Sequence, residues 1–351
     1  MNATLSKSIR KVDLKTASQE DYIAFNAFSN RMRLERLPDD PPRSLEETIK
    51  QAQNIPPIVD LNVWVVDHPE GQGFIASADA QIFRMEENKH LAQFSVDVLP
   101  EFRGKGIELD LLHEIASVAE RENRTLMLSS TNSRVPSGEA LMQQIGAEKA
   151  LESHTNQLDL QELDHGLIQA WMDQAGQKSS GFELIFWEGS YPQEHLQAFS
   201  KLYDVLNSQP KGTLDVEDFH FTPELLSQLE QMTFATGNKR WTLIAQEKAS
   251  GNFAGYSEVT WNPKRPKIIN QQGTGVYPEY RNLGLGRWLK AAMLGKVLRE
   301  LPEARFVRTG NADSNAPMLK INHELGFKPY IAESTWQIET VKVREYLEDR
   351  Q

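Results

Sequence analysis

Apolar residues recur along the chain at helical and strand spacings, and they predict a succession of helices and strands. In the first half, helical spacing predicts a helix over residues 19–37, which Pro38 to Pro42 end. Ser44 followed by Glu47 is a capping box, which predicts a second helix ending near residue 54. Two more helices are expected, one reaching about residue 121 and one over 138–145. Strands are predicted at residues 5–14, 63–67, 74–83, 91–98 and 125–129.

The second half repeats this order of elements. Strands are predicted at residues 182–187, 241–246, 253–261, 268–277, 306–309 and 331–338. Helices are predicted at residues 194–206, 223–234, 288–298 and 316–325, with a short charged helix at the C-terminus. The order is therefore the same in both halves of the chain.

Short stretches of sequence also match between the halves. Residues 98–103 read V-L-P-E-F-R, and residues 276–281 read V-Y-P-E-Y-R. Asn132 matches Asn311 at nearly the same offset. A repeat of this length indicates two copies of one domain rather than a solenoid, whose periods are much shorter. We expect domains at residues 1–160 and 181–351, joined by a linking helix and a glycine/serine hinge over 161–180.

The stretch from residue 274 to 290 carries the clearest chemistry. A strand ends at Tyr277, Pro278 stops it, and a loop with Gly284 and Gly286 leads into a helix. Such a loop directs backbone N–H groups and the positive helix end to one point, which suits a phosphate. The glycines let a pyrophosphate approach the backbone closely. No G-K-[ST] follows, and the first glycine comes too late for a Rossmann fingerprint.

This loop resembles motif A of the GNAT acyltransferases, which bind the pyrophosphate of acetyl-CoA. The pattern R-x-x-G-x-G follows V-x-P-E-Y here, and Asn311, Asn315 and the L-G-F at residues 325–327 stand where that family has its asparagine and closing motif. The resemblance implies an α/β (α+β) fold with a mixed β-sheet in each of two tandem GNAT-like domains. The layout resembles the tandem GNAT group that includes mycothiol synthase.

The same resemblance implies a set of acetyl-CoA contacts. The pantetheine would pair with the strand edge at Gly275, Val276 and Tyr277. The pyrophosphate would lie over the loop and first helical turn, formed by Arg281, Asn282, Leu283, Gly284, Leu285, Gly286 and Arg287. Asn311 and Asn315 would lie beside the pantetheine. Asn315 also stands before Ala316-Pro317, where it can cap a helix, and the two roles are compatible.

Catalytic groups follow less directly from the resemblance. GNAT proteins often carry a glutamate on the wall formed here by residues 256–260, so Glu258 is the candidate base, with an ordinary solvent-facing carboxylate as the alternative. Period two places Glu258 on the same face as Tyr256 and Thr260. The tyrosine that many GNAT proteins use as the acid is replaced by Asn322. Tyr277, Tyr256 and Tyr330 are the remaining phenols, and a thiolate can also leave unassisted.

The first half departs from the motif, because Glu108 stands where the second half has Gly286. A carboxylate there would repel a pyrophosphate, so we expect a catalytically silent first domain. Asp79 is the residue aligned with Glu258. The alternative is that Glu108 points away from the loop, which then still binds.

Composition narrows the function further. The chain has 351 residues, a formal net charge of −11 and no cysteine. The negative charge disfavours nucleic-acid binding. The absence of cysteine excludes disulfides, thiolate metal sites and an acyl-cysteine intermediate. The histidines lack ligand spacing, so we expect no metal. No apolar run is long enough to span a bilayer, and the N-terminus lacks an apolar signal core, so a cytoplasmic protein is expected.

The sequence thus predicts an N-acetyltransferase whose second domain moves an acetyl group from acetyl-CoA to an amine in a ternary complex. The acceptor is a small-molecule or peptide amine of unspecified identity, and the protein is a monomer or homodimer. The alternative is a non-catalytic acyl-CoA sensor or scaffold. A third possibility is a nucleotide-phosphate binder unrelated to GNAT proteins, which would prefer ATP to CoA.

Overall fold

A computed structural model describes residues 9–71 and 73–350, and they form two compact units. Unit 1 contains residues 9–152 (without 72), 211–217 and 332–350. Unit 2 contains residues 153–210 and 218–331. None of the helices in the described part of the chain is long and apolar enough to cross a membrane.

Unit 1 is a mixed β-sheet flanked by helices. Its strands are β1 (Ile9–Val12), β2 (Val59–Asp67), β3 (Phe74–Phe83), β4 (Leu91–Val98), β5 (Leu126–Asn132) and the later part of β12 (Lys328–Glu339). Its helices are α1 (Gln19–Arg36), α2 (Leu45–Gln53), α3 (Ile107–Arg121), α4 (Pro136–Gln144) and α10 (Thr340–Glu348). Strands β1 to β4 are antiparallel neighbours, whereas β4 and β5 are parallel. Residues 5–8 of the predicted first strand lie outside the described residues.

Local sequence accounts for the helix starts in unit 1. The Ser44 hydroxyl accepts from the backbone N–H of Glu47 at 3.2 Å, and the Glu47 carboxylate accepts from the backbone N–H of Ser44 at 3.0 Å. This confirms the predicted capping box, which satisfies two backbone donors that α2 itself leaves unpaired. Ser18 caps α1 in the same manner through the N–H of Asp21.

Unit 2 repeats the arrangement. Its strands are the later part of β6 (Glu148–Asp159), β7 (Phe182–Glu188), β8 (Lys239–Glu247), β9 (Phe253–Trp261), β10 (Ile268–Val276) and β11 (Phe306–Ala312). Its helices are α5 (His165–Lys178), α6 (Leu196–Tyr203), α7 (Pro223–Ala235), α8 (Leu285–Glu300) and α9 (Ala316–Glu324). Strands β7 to β10 are antiparallel neighbours, and β10 and β11 are parallel.

The sixth strand of each sheet comes from the other half of the chain. Residues 153–159 of β6 pair with β11 in unit 2, and residues 333–339 of β12 pair with β5 in unit 1. The units therefore differ from the predicted domains at residues 1–160 and 181–351. Strand β6 was not predicted, because its sequence is mostly polar and only a few of its side chains are buried.

The sheet of unit 2 has an apolar cluster on each of its two faces. Helix α8 packs Leu285, Leu289 and Leu294 against one face, within a single buried cluster. On the other face an aromatic cluster covers β9, and it includes Phe199 of α6 and Tyr256. This second cluster determines which strand side chains are accessible to a ligand.

Candidate functional site

The parallel ladder between β10 and β11 stops partway along both strands. Its last described pair is Asn270 with Arg308, although β10 continues to Val276 and β11 to Ala312. On its other side β10 pairs with β9, and β11 pairs with β6. The backbone groups that the two strands present toward each other are thus free to bind a ligand.

The loop after β10 is shaped for an anion. Asn282 and Gly284 both have left-handed backbone conformations, with φ of 66° and 86°. Gly284 is the N-cap of α8 and has no side chain, so the N–H groups of the first turn donate no hydrogen bond to a capping side chain. Left-handed conformations of this kind, next to a helix N-terminus, direct several N–H groups at one point.

A groove of about 850 Å³ lies over this loop and the opening between β10 and β11. All predicted cofactor residues except Tyr277 and Leu283 line it. They are Gly275, Val276, Arg281, Asn282, Gly284, Leu285, Gly286, Arg287, Asn311 and Asn315. The structure thus brings the strand edge, the loop and the two asparagines to one cavity within unit 2.

The groove is electropositive. Among its described lining residues, every charged side chain is a cation: Lys178, Arg281, Arg287, Lys290 and Lys320. Arg281 donates to the Ser208 hydroxyl at 2.9 Å and to the Val276 carbonyl at 3.1 Å, so its hydrogen bonds go to neutral groups. Arg287 forms an ion pair with Glu324, with 2.9 Å between the guanidinium nitrogen and the carboxylate oxygen. A ligand with several negative charges fits this lining better than a neutral one.

Lys290 was missed by the sequence analysis, because one charged residue in an amphipathic helix usually faces solvent. Here its side chain is 2% exposed and lines the groove, with its ammonium 5.5 Å from the centre of the Phe327 ring. It has no ion-pair partner within residues 9–71 and 73–350. Burial lowers the pKa of Lys290 to about 7, so a large fraction is neutral at neutral pH.

The two asparagines of the groove have different supports. Asn311 accepts a hydrogen bond of 2.7 Å from the side-chain amide of Asn322, which is 0% exposed. Asn315 is the N-cap of α9, and its side-chain oxygen accepts from the Met318 N–H at 3.4 Å. The residue in place of the tyrosine expected from the resemblance therefore orients a groove residue.

Tyr277 and Leu283 do not line the groove. The Tyr277 ring packs partly buried against the aromatic cluster, where burial raises the pKa of its phenol, and its N–H donates to the Ala254 carbonyl at 2.9 Å. The carbonyl of Leu283 accepts from the Ser179 hydroxyl at 2.7 Å. The other candidate phenols, Tyr256 and Tyr330, are also absent from the described lining.

Glu258 lies outside the groove. It is 4% exposed, and its carboxylate accepts from the Tyr191 hydroxyl at 2.7 Å and the Thr242 hydroxyl at 2.9 Å. Arg240 approaches to 3.7 Å, yet burial outweighs it and raises the pKa of Glu258. The solvent-facing alternative is wrong, because the aromatic cluster covers this face of β9. The sequence signal for the aromatic cluster over Glu258 is the spacing of aromatic residues such as Phe199 and Tyr203, which are four positions apart and so share one face of a helix.

Unit 1 closes the equivalent groove. The guanidinium of Arg103 is paired with Glu35 at 2.7 Å, and the carboxylate of Glu108 accepts from the Gly104 N–H at 2.9 Å. The space left beside these residues and Asn132 is about 80 Å³. Side chains of the protein thus occupy the positions that remain open in unit 2.

These features define a fold of the tandem GNAT type, and comparison with solved structures confirms this prediction. A tandem GNAT protein from the clavulanic acid biosynthesis pathway is 23% identical and matches with a TM-score of 0.74, over 95% of this chain and 98% of that one. A GCN5-related N-acetyltransferase from Sphaerobacter thermophilus is 15% identical, with a TM-score of 0.62, over 95% and 96% of the two chains.

This chain also matches part of a third, longer protein. The glucosamine N-acetyltransferase region of a fungal multidomain β-N-acetylglucosaminidase is 14% identical, with a TM-score of 0.62, over 94% of this chain and 38% of that one. No protein-family model matches the sequence, and the search of curated proteins found no match. At these identities the similarity establishes the fold but not the chemistry.

Proposed function

We propose that unit 2 is an N-acetyltransferase that moves an acetyl group from acetyl-CoA to a primary amine within a ternary complex. The observation that carries this proposal is the electropositive groove, which joins a free strand edge to an anion-binding loop. The free edge suits the amides of pantetheine, and the loop with Arg281 suits a pyrophosphate. Because sequence identity to the similar structures is low, the proposal that acetyl-CoA is the donor rests on the groove and not on the structural similarity.

The acceptor site is the part of the groove away from the loop. Tyr203, Gln271 and Thr274 line it near the point where β10 and β11 separate. These side chains are polar and uncharged, which suits a small-molecule or peptide amine that must lose a proton before it attacks. Acetyl-CoA would supply the thioester carbonyl, and the backbone N–H groups near Val276 would stabilise the oxyanion.

Two groups are proposed as acceptor of the amine proton. Glu258 follows from the family resemblance, but its carboxylate is outside the groove, so transfer would require the aromatic cover to move. Lys290 lines the groove, and burial lowers its pKa to about 7, which matches a base that works near neutral pH. Tyr277 stays a candidate acid, although its ring lies outside the groove.

We propose that unit 1 does not transfer acyl groups. Its groove of about 80 Å³ is far smaller than that of unit 2, and Glu108 takes a loop N–H that a phosphate would need. One acetyl-CoA per chain is therefore expected. Calorimetric titration with acetyl-CoA tests this number, and two sites per chain would refute the proposed silence of unit 1.

Turnover can be followed through the thiol of released CoA. The chain has no cysteine, so a thiol reagent would report CoA without background from the protein. Incubation with acetyl-CoA and a panel of amines, amino sugars and peptides should release CoA in an acceptor-dependent manner. Acetyl-CoA binding without release for any acceptor would favour the sensor alternative, and preference for ATP over CoA would refute the whole proposal.

A further inference from the structure

Helix α5 forms part of the wall of the groove in unit 2. Its residues Trp171, Ala175 and Lys178 line the groove, although α5 ends about a hundred positions before the anion-binding loop in the sequence. Trp171 and Leu285, the first residue of α8, belong to one apolar cluster, so α5 packs beside the start of α8. The proposed acyl transfer assigns no role to this helix.

Ser179 ends α5, and each of its three polar groups is hydrogen-bonded. Its N–H donates to the Ala175 carbonyl at 2.9 Å, its carbonyl accepts from the Phe182 N–H at 2.9 Å, and its hydroxyl donates to the Leu283 carbonyl at 2.7 Å. Ser179 is 1% exposed. The two backbone bonds hold Ser179 between α5 and β7, and its hydroxyl thereby holds one carbonyl of the anion-binding loop.

This hydrogen bond determines the direction of a backbone N–H group. The Leu283 carbonyl and the Gly284 N–H belong to one trans peptide unit, in which the C=O and N–H bonds point in opposite directions. Gly284 lines the groove, whereas Ser179 and Leu283 do not. Because the carbonyl is held on the Ser179 side, the Gly284 N–H points away from Ser179, to the side on which the groove lies.

The peptide between Leu283 and Gly284 needs this support. Asn282 and Gly284 on either side of Leu283 are left-handed, with φ of 66° and 86°, and glycine adopts both signs of φ readily. The peptide can therefore turn over at little steric cost. In the turned orientation a carbonyl would face a bound anion and repel it, so the bond from Ser179 selects the orientation that suits an anion.

The corresponding loop of unit 1 is held in the opposite way. Gly104 and Gly106 have the matching left-handed conformations, with φ of 70° and 90°. There the Glu108 carboxylate accepts from the Gly104 N–H, so a side chain of the protein uses a donor of the loop. In unit 2 the Ser179 hydroxyl uses an acceptor of the loop instead, which leaves the loop N–H groups for a ligand.

We propose that Ser179 is a positioning residue of the anion-binding loop, which keeps the Gly284 N–H directed at a bound diphosphate by holding the Leu283 carbonyl. Helix α5 is thereby part of the binding site and not only a connection along the chain. The inference rests on the proposed function for the identification of the ligand as the diphosphate of acetyl-CoA, whereas the orientation of the peptide affects any diphosphate in the same way.

Calorimetric titration of the full chain with CoA and, separately, with inorganic pyrophosphate tests this role. Ser179→Ala should weaken the binding of both ligands at least fivefold, because the peptide is then free to turn over. Ser179→Thr keeps the hydroxyl and should retain both affinities within about twofold. Ser180→Ala is the matched control, since Ser180 is the next residue and is exposed, and it should change neither affinity.

Three results would overturn the role of Ser179. They are unchanged affinities in Ser179→Ala, an equal loss in Ser179→Thr, and a loss for CoA without a loss for pyrophosphate. Urea unfolding would verify that the variants are folded. If Ser179→Ala does not fold, Ser179→Cys replaces it, because a thiol of similar size is only a weak donor and should also weaken both ligands. Unchanged affinities in Ser179→Cys would then overturn the inference.

The two ligands separate a failure of this inference from a failure of the proposed function. If the unaltered chain binds pyrophosphate but not CoA, the proposed function fails, and the Ser179 variants still decide the inference through pyrophosphate. If the chain binds CoA and Ser179→Ala binds it equally well, the inference fails and the proposed function stands. If the chain binds neither ligand, both fail.

Discussion

The carboxylate of Glu108 accepts a hydrogen bond of 2.9 Å from the backbone N–H of Gly104. Gly104 belongs to the loop of unit 1 that corresponds to the anion-binding loop of unit 2, and Glu108 lies in the first turn of α3, which follows this loop. At the matching position Gly286 has no side chain, and an added Cβ would meet nothing nearer than the Ile321 Cδ1 at 3.6 Å. A protein carboxylate thus occupies in unit 1 the position that unit 2 leaves open for a ligand.

This relationship predicts the effect of a charge at position 286. Gly286→Glu should weaken acetyl-CoA binding at least tenfold, because the carboxylate would take a loop N–H and repel the pyrophosphate. Tenfold corresponds to about 1.4 kcal/mol, a modest value for a charge placed beside a phosphate. Calorimetric titration would measure the change.

Gly286→Gln separates charge from bulk, since glutamine has nearly the same size as glutamate. We expect the glutamine variant to bind acetyl-CoA more tightly than the glutamate variant. Equal losses in the two variants would show that space alone excludes the cofactor. Unchanged affinity in both would place the pyrophosphate elsewhere.

The loop was predictable because its chemistry is local. Turn glycines, the proline that ends the strand and the start of the helix are adjacent in sequence, and the capping box at Ser44 and Glu47 was readable for the same reason. The strand ranges 74–83 and 253–261 also agree with β3 and β9.

The features that sequence did not reveal depend on contacts between distant residues. Strand β6 follows from pairing with β11, which lies about 150 positions further along the chain. The burial of Lys290 depends on groove residues from several elements, and the covering of Glu258 depends on Tyr191 and α6. Residue types and spacing indicated which groups were present but not which of them share a cavity.

The hydrogen bond between Asn322 and Asn311 predicts a role in cofactor positioning. Asn322→Ala would remove the 2.7 Å bond that orients the Asn311 side chain, and it would truncate a fully buried side chain. We expect the free energy of unfolding to fall by about 1–3 kcal/mol and the affinity for acetyl-CoA to decrease. Urea unfolding and calorimetric titration would measure the two effects.

His323→Ala is a control for the Asn322 variant, because His323 is the next residue of α9 and is exposed. It should change neither the stability nor the affinity substantially. If Asn322→Ala loses stability but binds acetyl-CoA normally, then Asn322 has only a packing role and does not position Asn311.

The burial of Lys290 should give the protein an unusual dependence of stability on pH. Its pKa is lowered from 10.5 to about 7 on folding, so between these values the unfolded chain binds a proton that the folded chain does not. This group therefore makes the protein more stable as pH rises from 7 to 10.5, and its destabilising effect is full below pH 7. Lys290→Met should be more stable than the unaltered chain at pH 6, by a few kcal/mol in order of magnitude.

Urea unfolding at pH 6, 8 and 9.5 would measure this gain, which should shrink as pH rises. Lys320→Met is the matched control, since Lys320 lines the same groove but is exposed. It should show no such pH-dependent gain. A gain for Lys290→Met that is constant with pH would mean that the lysine does not titrate in this range.

The two proposed proton acceptors predict different pH profiles of turnover. If Lys290 is the base, kcat/KM should rise with pH through about 7. Lys290→Met should then remove this rise and lower the rate at least tenfold, with acetyl-CoA affinity retained. If Glu258 is the base, Glu258→Gln should have these effects instead, because a glutamine amide cannot accept the proton.

The structure favours Lys290 in this comparison, because Lys290 lines the groove, whereas Glu258 lies outside it and its carboxylate is held by Tyr191 and Thr242. Tyr191→Phe provides the control for a purely structural effect at Glu258, since it removes one hydrogen bond without changing any charge. We expect Glu258→Gln and Tyr191→Phe to lower stability to a similar degree and to leave the shape of the pH profile unchanged. A profile flattened by Glu258→Gln alone would instead assign the proton transfer to Glu258.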